Sequence, residues 1–316
     1  MISMKKMSVL FLFAVILSSC ISRPQPTPVW RPAKTTHTIE PNQHFLLLWE
    51  RPIYTEVASF GNPCAVMNGI LYVVGSEFPQ GNANLIAIDS NDGKTRWTKE
   101  SGLRFSHSEN QLFIGDGKNV VSLSSLDGKQ TWKTFLNHAR NVNVLFYFED
   151  KILAGASGYP FFVIEPDSGK IIAEYSSVEG FRNDYPDVPF YTDLNFQPDI
   201  IGKDAIFALG DMTYSLSREN IIANYKVWEI ENDSISNPAI IENRLFYISQ
   251  DDKLKMVDVD TGKMLFETGI QPSIDFFNLE KDSFHDGFYL CSDNEHRILY
   301  VILGDSRQLF AVSVRE

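Results

Sequence analysis

The chain has 316 residues, 44% of them hydrophobic and 13% aromatic, with a formal net charge of −12. That length suits one large domain or two small ones, and 23 Phe, 12 Tyr and 5 Trp favour strands over helices. The acidic balance argues against a nucleic-acid partner, whose phosphates need neutralising by Lys and Arg.

Lys5 and Lys6 precede an apolar run, MSVLFLFAVIL (7–17), well short of the roughly 20 apolar residues that span a bilayer. This is the pattern of a secretory signal over residues 1–19. The sequence LSSC (17–20) resembles the bacterial lipobox: a branched apolar residue, two small ones and Cys. The resemblance implies cleavage before Cys20 and a diacylglycerol thioether on its sulfur, leaving an acylated N-terminus. An ordinary secretory signal with an incidental Cys is the alternative. The protein is expected to be exported and lipid-anchored to the cell membrane or outer membrane, with its folded part in the periplasm or at the cell surface. Ile21 in place of Asp matches the outer-membrane form of the Gram-negative sorting rule. Residues 20–43 are rich in Pro and Thr and read as the anchor and an extended tether, with the folded domain over 44–316.

Within that domain a cassette recurs. LIAIDSNDGKTRW (85–97) returns as VVSLSSLDGKQTW (120–132), FFVIEPDSGKIIA (161–173) and LKMVDVDTGKMLF (254–266), with a degenerate copy at 212–225. Each reads as a strand, a polar turn and a second strand. Gly93, Gly128, Gly169 and Gly262 occupy the turn position that needs positive φ. Trp97, Trp132 and Phe266 follow four residues later. Upstream of every copy lies a second strand–turn–strand unit, with turns at 68–69, 109–110, 149–150, 202–203, 242–243 and 295–296. The third residues past these turns, Tyr72, Phe113, Leu153, Ile206, Phe246 and Leu299, are spaced by 41, 40, 53, 40 and 53. Four strands per period of about 40, with no helical segment, is the signature of propeller blades. Six units are counted; seven or eight blades are the alternatives. The last unit, LFAVSVRE (309–316), stops before its Gly-Lys turn, and FLLLWERP (45–52) offers the missing outer strand with Trp49 in place. The expected fold is all-β: a six-bladed β-propeller of four-stranded antiparallel blades, closed by an N-terminal strand.

The pattern D-x-x-x-G-K-x-x-x-W resembles the pyrroloquinoline-quinone-like (quinoprotein alcohol dehydrogenase-like) propeller repeat over about residues 44–316. It is distantly similar to the propeller lipoprotein of the β-barrel assembly machinery. The resemblance implies that Gly93, Trp97, Gly128, Trp132, Gly169, Gly262, Phe266 and Trp49 dock one blade on the next, the indole burying area and its N–H finding a backbone acceptor. It also implies a scaffold that binds other proteins through propeller loops.

Catalytic signatures are sparse. Quinone enzymes of the repeat class use Ca²⁺, a catalytic Asp and often a disulfide of adjacent cysteines; here there is no Cys-Cys pair. SSLDGKQTW (124–132) is similar to the sialidase Asp-box, with Gly128 one position early, and that box is itself structural. The histidines at 37, 44, 107, 138, 285 and 296 make no metal-ligand spacing. No cofactor, metal or catalytic residue is assigned, and pyrroloquinoline quinone with calcium is not expected. Cys64 and Cys291 fall on strands that closure makes neighbours. An exported protein can join them by a disulfide, but adjacent inner strands are expected to hold the Cα atoms beyond the roughly 7 Å limit, so free buried thiols are the expectation and the bridge the alternative.

The two long intervals come from segments 178–196 and 271–287, which share one propeller face with the loop 75–84. Loops of this length are often functional. Phe181, Tyr185, Tyr191, Phe276 and Phe277 among acidic residues mark a candidate partner-binding face, or else a set of plugs over the blade edges. The reading is a monomeric, non-catalytic envelope module that binds a protein partner. The alternative is a quinone-dependent dehydrogenase or a carbohydrate-active propeller enzyme.

Overall fold

In the computed structural model the described residues are 38–39, 44–53, 64–76, 84–100, 105–137, 139, 141–142, 144–148, 150–155, 160–184, 199–201, 204–209, 214–220, 225–251, 253–271, 288–303 and 308–315. All lie in one compact unit, His37–Glu316.

Each repeat folds as an antiparallel sheet whose strands pair in chain order. Blade 1 comprises Cys64–Met67, Ile70–Gly75, Asn84–Asp89 and Thr95–Glu100. Blade 2 comprises Phe105–His107, Gln111–Asp116, Asn119–Ser124 and Gln130–Phe135. Blade 3 is Val144–Phe148, Lys151–Gly155, Phe161–Ile164 and Ile171–Tyr175. Blade 4 is Asp199–Ile201, Asp204–Leu209, Tyr214–Asn220 and Tyr225–Ser234. Blade 5 is Ala239–Ile241, Arg244–Ile248, Lys253–Asp258 and Met264–Gln271. Blade 6 is Phe288–Asp293, Ile298–Leu303 and Gln308–Val314, completed by Phe45–Pro52 from the start of the domain. The described residues thus form six sheets, the architecture of a β-propeller.

Burial follows the strand's place in its blade. Second strands such as Ile70–Gly75 and Ile298–Leu303 are buried on both faces and are continuously apolar. Outer strands such as Thr95–Glu100 alternate between half-buried and exposed residues. First strands of neighbouring blades lie side by side: Cys64–Met67 beside Phe288–Asp293, and Ala239–Ile241 beside the same strand. The core is therefore layered between sheets. One continuous apolar cluster joins Leu71 and Val73 of blade 1, Leu216 of blade 4, Tyr247 of blade 5 and Tyr300 of blade 6.

Two ends of the blades can be told apart. The hairpin face carries the turns between first and second strands and the Gly-Lys turns. The opposite, crossover face carries the turns between second and third strands and the links from each outer strand to the next blade.

The Gly-Lys turns explain their own sequence. Gly93 N–H donates to the Asp89 carbonyl (3.0 Å) and Asp89 N–H to that of Lys94 (2.8 Å). The same pair of bonds closes the turns of Gly128, Gly169 and Gly262. The residue before glycine caps the lysine after it: Asp92 Oδ1 accepts from Lys94 N–H (3.0 Å), Asp127 Oδ1 from Lys129 (3.2 Å) and Ser168 Oγ from Lys170 (3.2 Å). These glycines have φ between 67° and 71°, the left-handed region.

A second constraint acts on the same atoms. A Cβ on Gly93 would lie 2.8 Å from the Trp49 ring, one on Gly128 2.8 Å from Trp97, one on Gly169 2.6 Å from Trp132 and one on Gly262 3.0 Å from Trp228. In each case the indole belongs to the preceding blade. Its Nε1–H donates to the carbonyl three residues before the glycine: Ser90 (2.8 Å), Ser125 (3.3 Å), Pro166 (2.6 Å) and Val259 (2.7 Å). Beneath the indoles lie aromatic rings of their own blades, Tyr300 under Trp49, Tyr72 under Trp97 and Phe113 under Trp132. Tyr72 also donates its hydroxyl to the Ser125 carbonyl (2.7 Å), and burial pushes its phenol up to about 12.

Blade 6 closes differently. Where blades 1, 2, 3 and 5 have a Gly-Lys turn, it has two strands from opposite ends of the domain, joined by Arg315 N–H donating to the His44 carbonyl (2.8 Å). Phe266 of blade 5 packs there on His44, with ring centroids 4.5 Å apart. Asn237 ties the inner strands, donating to the Leu290 carbonyl (2.7 Å) and accepting from Leu290 N–H (2.8 Å).

Three expectations are corrected. The cysteines are not free: Cys64 and Cys291 form a disulfide across the seam between blades 1 and 6, with Cα atoms 6.1 Å apart. The side-by-side first strands bring them within the bridging limit. The repeat is not free of helix: Val178–Asp184 forms helix α1, with Ser177 Oγ capping Gly180 N–H at 3.1 Å. And the tether does not run unpaired to residue 43. Thr38 and Ile39 form a short strand on the outer edge of blade 5, against Gln271 and Ile270.

Two outcomes follow. Gly117 has φ 57° and open space around a prospective Cβ, so Gly117→Ala isolates backbone strain, about 1–2 kcal/mol. Gly128→Ala adds overlap with Trp97 and is expected to cost about 1–3 kcal/mol more. Urea unfolding midpoints of the two variants measure the difference. Cys291→Ser, which opens a bridge of sequence separation 227, is expected to cost about 2–5 kcal/mol in the same measurement. Peptide mapping without reductant should recover the Cys64–Cys291 link in the parent.

Candidate functional site

The residues singled out by sequence separate into three groups. Trp49, Gly93, Trp97, Gly128, Trp132, Gly169 and Gly262 all lie at contacts between blades, as does Phe266. Trp228 belongs with them and escaped the repeat comparison, because the degenerate copy was followed only to Tyr225. The signal was three residues further on, in the same outer strand. Two arginines were also overlooked. Arg51 Nη1 donates to the Gly93 carbonyl (2.8 Å) and to Thr95 Oγ1 (3.0 Å), and Arg218 Nη1 donates to the Val259 carbonyl (3.1 Å) and Asp260 (2.6 Å). Arg51 lies two residues past Trp49 on one strand, and Arg218 pairs directly with Trp228 across two strands. Each therefore reaches the turn that its neighbouring indole covers.

The second group is the proposed partner face. Phe181 is corrected here: it is 1% exposed, packed with Leu153, Phe161 and Val163 of blade 3 and edge-on to Tyr175. It anchors α1 to its own blade, helped by Tyr175 donating to Asp184 (2.6 Å), and has no surface to offer a partner. Helical periodicity turns Phe181 inward once Ser177 caps the segment. Tyr185, Tyr191, Phe276 and Phe277 lie outside the described residues, as does Cys20.

Among the described residues, the crossover face at blades 4 and 5 carries a network of charges. Asp233, near the end of blade 4's outer strand, accepts from Tyr247 Oη (2.9 Å) and Lys255 Nζ (2.8 Å) of blade 5. Asp251 lies 2.9 Å from Lys253 Nζ and 3.5 Å from Lys255 Nζ, and Lys253 also reaches Glu267 (2.9 Å). Burial, and then the Asp233 carboxylate, push the Tyr247 phenol well above its ordinary range. Ser249 and Lys253 hold the Asp251 carboxyl well below its own. Cations and anions here are matched at hydrogen-bond distance, an arrangement that joins two blades rather than one that leaves a reactive group unpaired.

The remaining chemistry-bearing residues are likewise engaged. Asp127, the acid of the Asp-box-like turn, is held down to about 2 by Lys129 and by Ser124. Half-buried His107 is shifted down by desolvation, with Nδ1 3.4 Å from the Ser108 carbonyl. His296 is shifted up by its hydrogen bond to Asp293 at 2.9 Å. His37, His138 and His285 lie outside the described residues. Among the described residues no group of three or more His, Cys, Asp or Glu could hold a metal ion, and no helix is long and apolar enough to cross a membrane.

Comparisons with known proteins agree with this architecture. No curated protein matches the chain. A chain in a structure titled "Crystal Structure of Mitotic Checkpoint Complex" is similar in fold, with a TM-score of 0.63 and 11% identity over 87% of this chain and 98% of that one. The crystal structure of BamB from Moraxella catarrhalis is similar at a TM-score of 0.37 and 11% identity, over 79% of this chain and 71% of that one. The family described as "Outer membrane protein assembly factor BamB" matches residues 19–268, most of the chain. With a propeller of pyrroloquinoline-quinone-like repeats on that same stretch, the chain belongs to this BamB family.

Proposed function

We propose that the chain is a lipid-anchored propeller of the cell envelope that binds another protein and takes no catalytic role, and that it serves the assembly of outer-membrane proteins. The family match carries this reading: it spans residues 19–268 and so starts beside Cys20, the acylated residue of the lipobox-like LSSC. The repeat supports it from another side. The residues that recur from blade to blade are engaged with each other across blade junctions, so the repetition serves construction of the ring and leaves recognition to the loops. Loops carried by a rigid scaffold are where binding residues concentrate.

Two outcomes test the reading. Cells fed radiolabelled palmitate should label the parent protein and leave Cys20→Ser unlabelled and released from membranes. Equal labelling of both overturns the anchor. Affinity purification from detergent-solubilised envelopes should recover an integral β-barrel protein in near-stoichiometric amount. Recovery no greater than with an unrelated lipoprotein overturns the binding role. Deleting 185–196 or 273–286, while keeping α1 intact, then asks which segment the partner uses.

A further inference from the structure

The way the chain enters the propeller bears on its orientation. Phe45–Pro52, the outer strand of blade 6, runs from the hairpin face to the crossover face, since Phe45 pairs with Val314 and Pro52 with Gln308. A tether joined directly to Phe45 would leave from the hairpin face. The chain takes another course. Thr38 pairs with Gln271, the last residue of blade 5's outer strand, and Ile39 with Ile270, antiparallel. By His44 the chain has reached Phe266, further toward the hairpin end of the same strand. Thr38 and Ile39 thus lie at the crossover end of blade 5's outer strand, and His44 lies beside a residue nearer its hairpin end.

We propose that this strap turns the crossover face of the propeller toward the membrane. The inference rests on the acylation of Cys20 proposed above. From Cys20 to Thr38 the chain has 18 residues, about 60 Å at full extension and roughly 25 Å on average if flexible. The average span is close to the height of a blade, about 27 Å for an eight-residue strand, so the end at which the tether departs biases which face lies nearer the bilayer. Pairing at residues 38–39 places that departure point at the crossover end of blade 5 rather than at the hairpin end where Phe45 begins. The crossover face, including the network of Asp233, Tyr247 and Lys255, then meets its partners at the membrane surface. The Gly-Lys turns point away from it.

The cysteines make a direct test possible. Of three in the chain, Cys64 and Cys291 are bridged and Cys20 is acylated, so an introduced cysteine is the sole free thiol. Lys118 sits on the crossover face of blade 2, and Leu126, 68% exposed, on its hairpin face. Full-length acylated Lys118→Cys and Leu126→Cys proteins, each carrying a donor dye, would be placed on vesicles of phosphatidylethanolamine and phosphatidylglycerol doped with an acceptor lipid. Energy transfer should be stronger from position 118 than from 126. Thr38→Pro combined with Ile39→Pro, which removes the strap's backbone donors, should abolish or invert that order. Equal or inverted transfer in the protein with native Thr38 and Ile39 overturns the proposal. So does an order unaffected by the prolines. Failure of the acylated protein to float with vesicles is a separate readout, and it overturns the anchor reading on which the proposal stands.

Discussion

An indole laid over a glycine is the contact on which the ring depends. The turn needs a residue at positive φ, and the neighbouring blade needs a site with no Cβ; glycine meets both demands by lacking the Cβ that every other residue carries. The tryptophan contributes area and direction together. Its ring fills the gap between sheets, and its Nε1–H satisfies a carbonyl three residues upstream that would otherwise face an apolar ring. Because the hydrogen bond fixes the angle of the ring, it also fixes the approach of one blade to the next.

The seam shows what happens where that contact is unavailable. Blade 6 has no covalent Gly-Lys turn, as the chain begins and ends its circuit there. Its stability is assembled from different parts: antiparallel pairing of Phe45–Pro52 with Gln308–Val314, the Arg315–His44 backbone bond, the Asn237 amide and Phe266 on His44. On the other side of the same blade the Trp49–Gly93 contact returns, and the Cys64–Cys291 disulfide is added to it. Joining strands from opposite ends of the chain carries the greatest loop-closure entropy in the fold, so covalent reinforcement is most effective there.

Functional diversity in such a scaffold has to come from segments outside the repeated contacts. Residues used for docking cannot vary without loosening the ring, whereas links between blades can lengthen freely. Helix α1 is one such addition, and it consumes its own aromatic residue, Phe181, in fastening itself to blade 3. The ion network at blades 4 and 5 is similar in character: charged residues on the crossover face, tied into the junction by short hydrogen bonds. An aromatic or charged side chain in a long link is thus as apt to secure the link as to contact a partner.

Much of the architecture could be read from order along the chain. The spacing of glycine, lysine and tryptophan is local, repeats at a steady period and reports turns whose conformation is decided within five residues. The complementary ends, with Trp49 standing where a missing outer strand should be, predicted the pairing that Trp49 makes with Ala311. What sequence could not decide were contacts made between residues distant along the chain and unrelated by the repeat. Free thiols were expected where Cys64 and Cys291 bridge, because only the convergence of first strands sets a Cα separation of 6.1 Å. Phe181 passed for a surface residue until one capped turn of helix rotated it inward. Thr38 and Ile39 passed for tether because their partner strand lies some 230 residues away. Local turn chemistry and periodicity are written in the sequence itself; the meeting of distant edges is settled only when the ring closes, since it is then that their separation acquires a value.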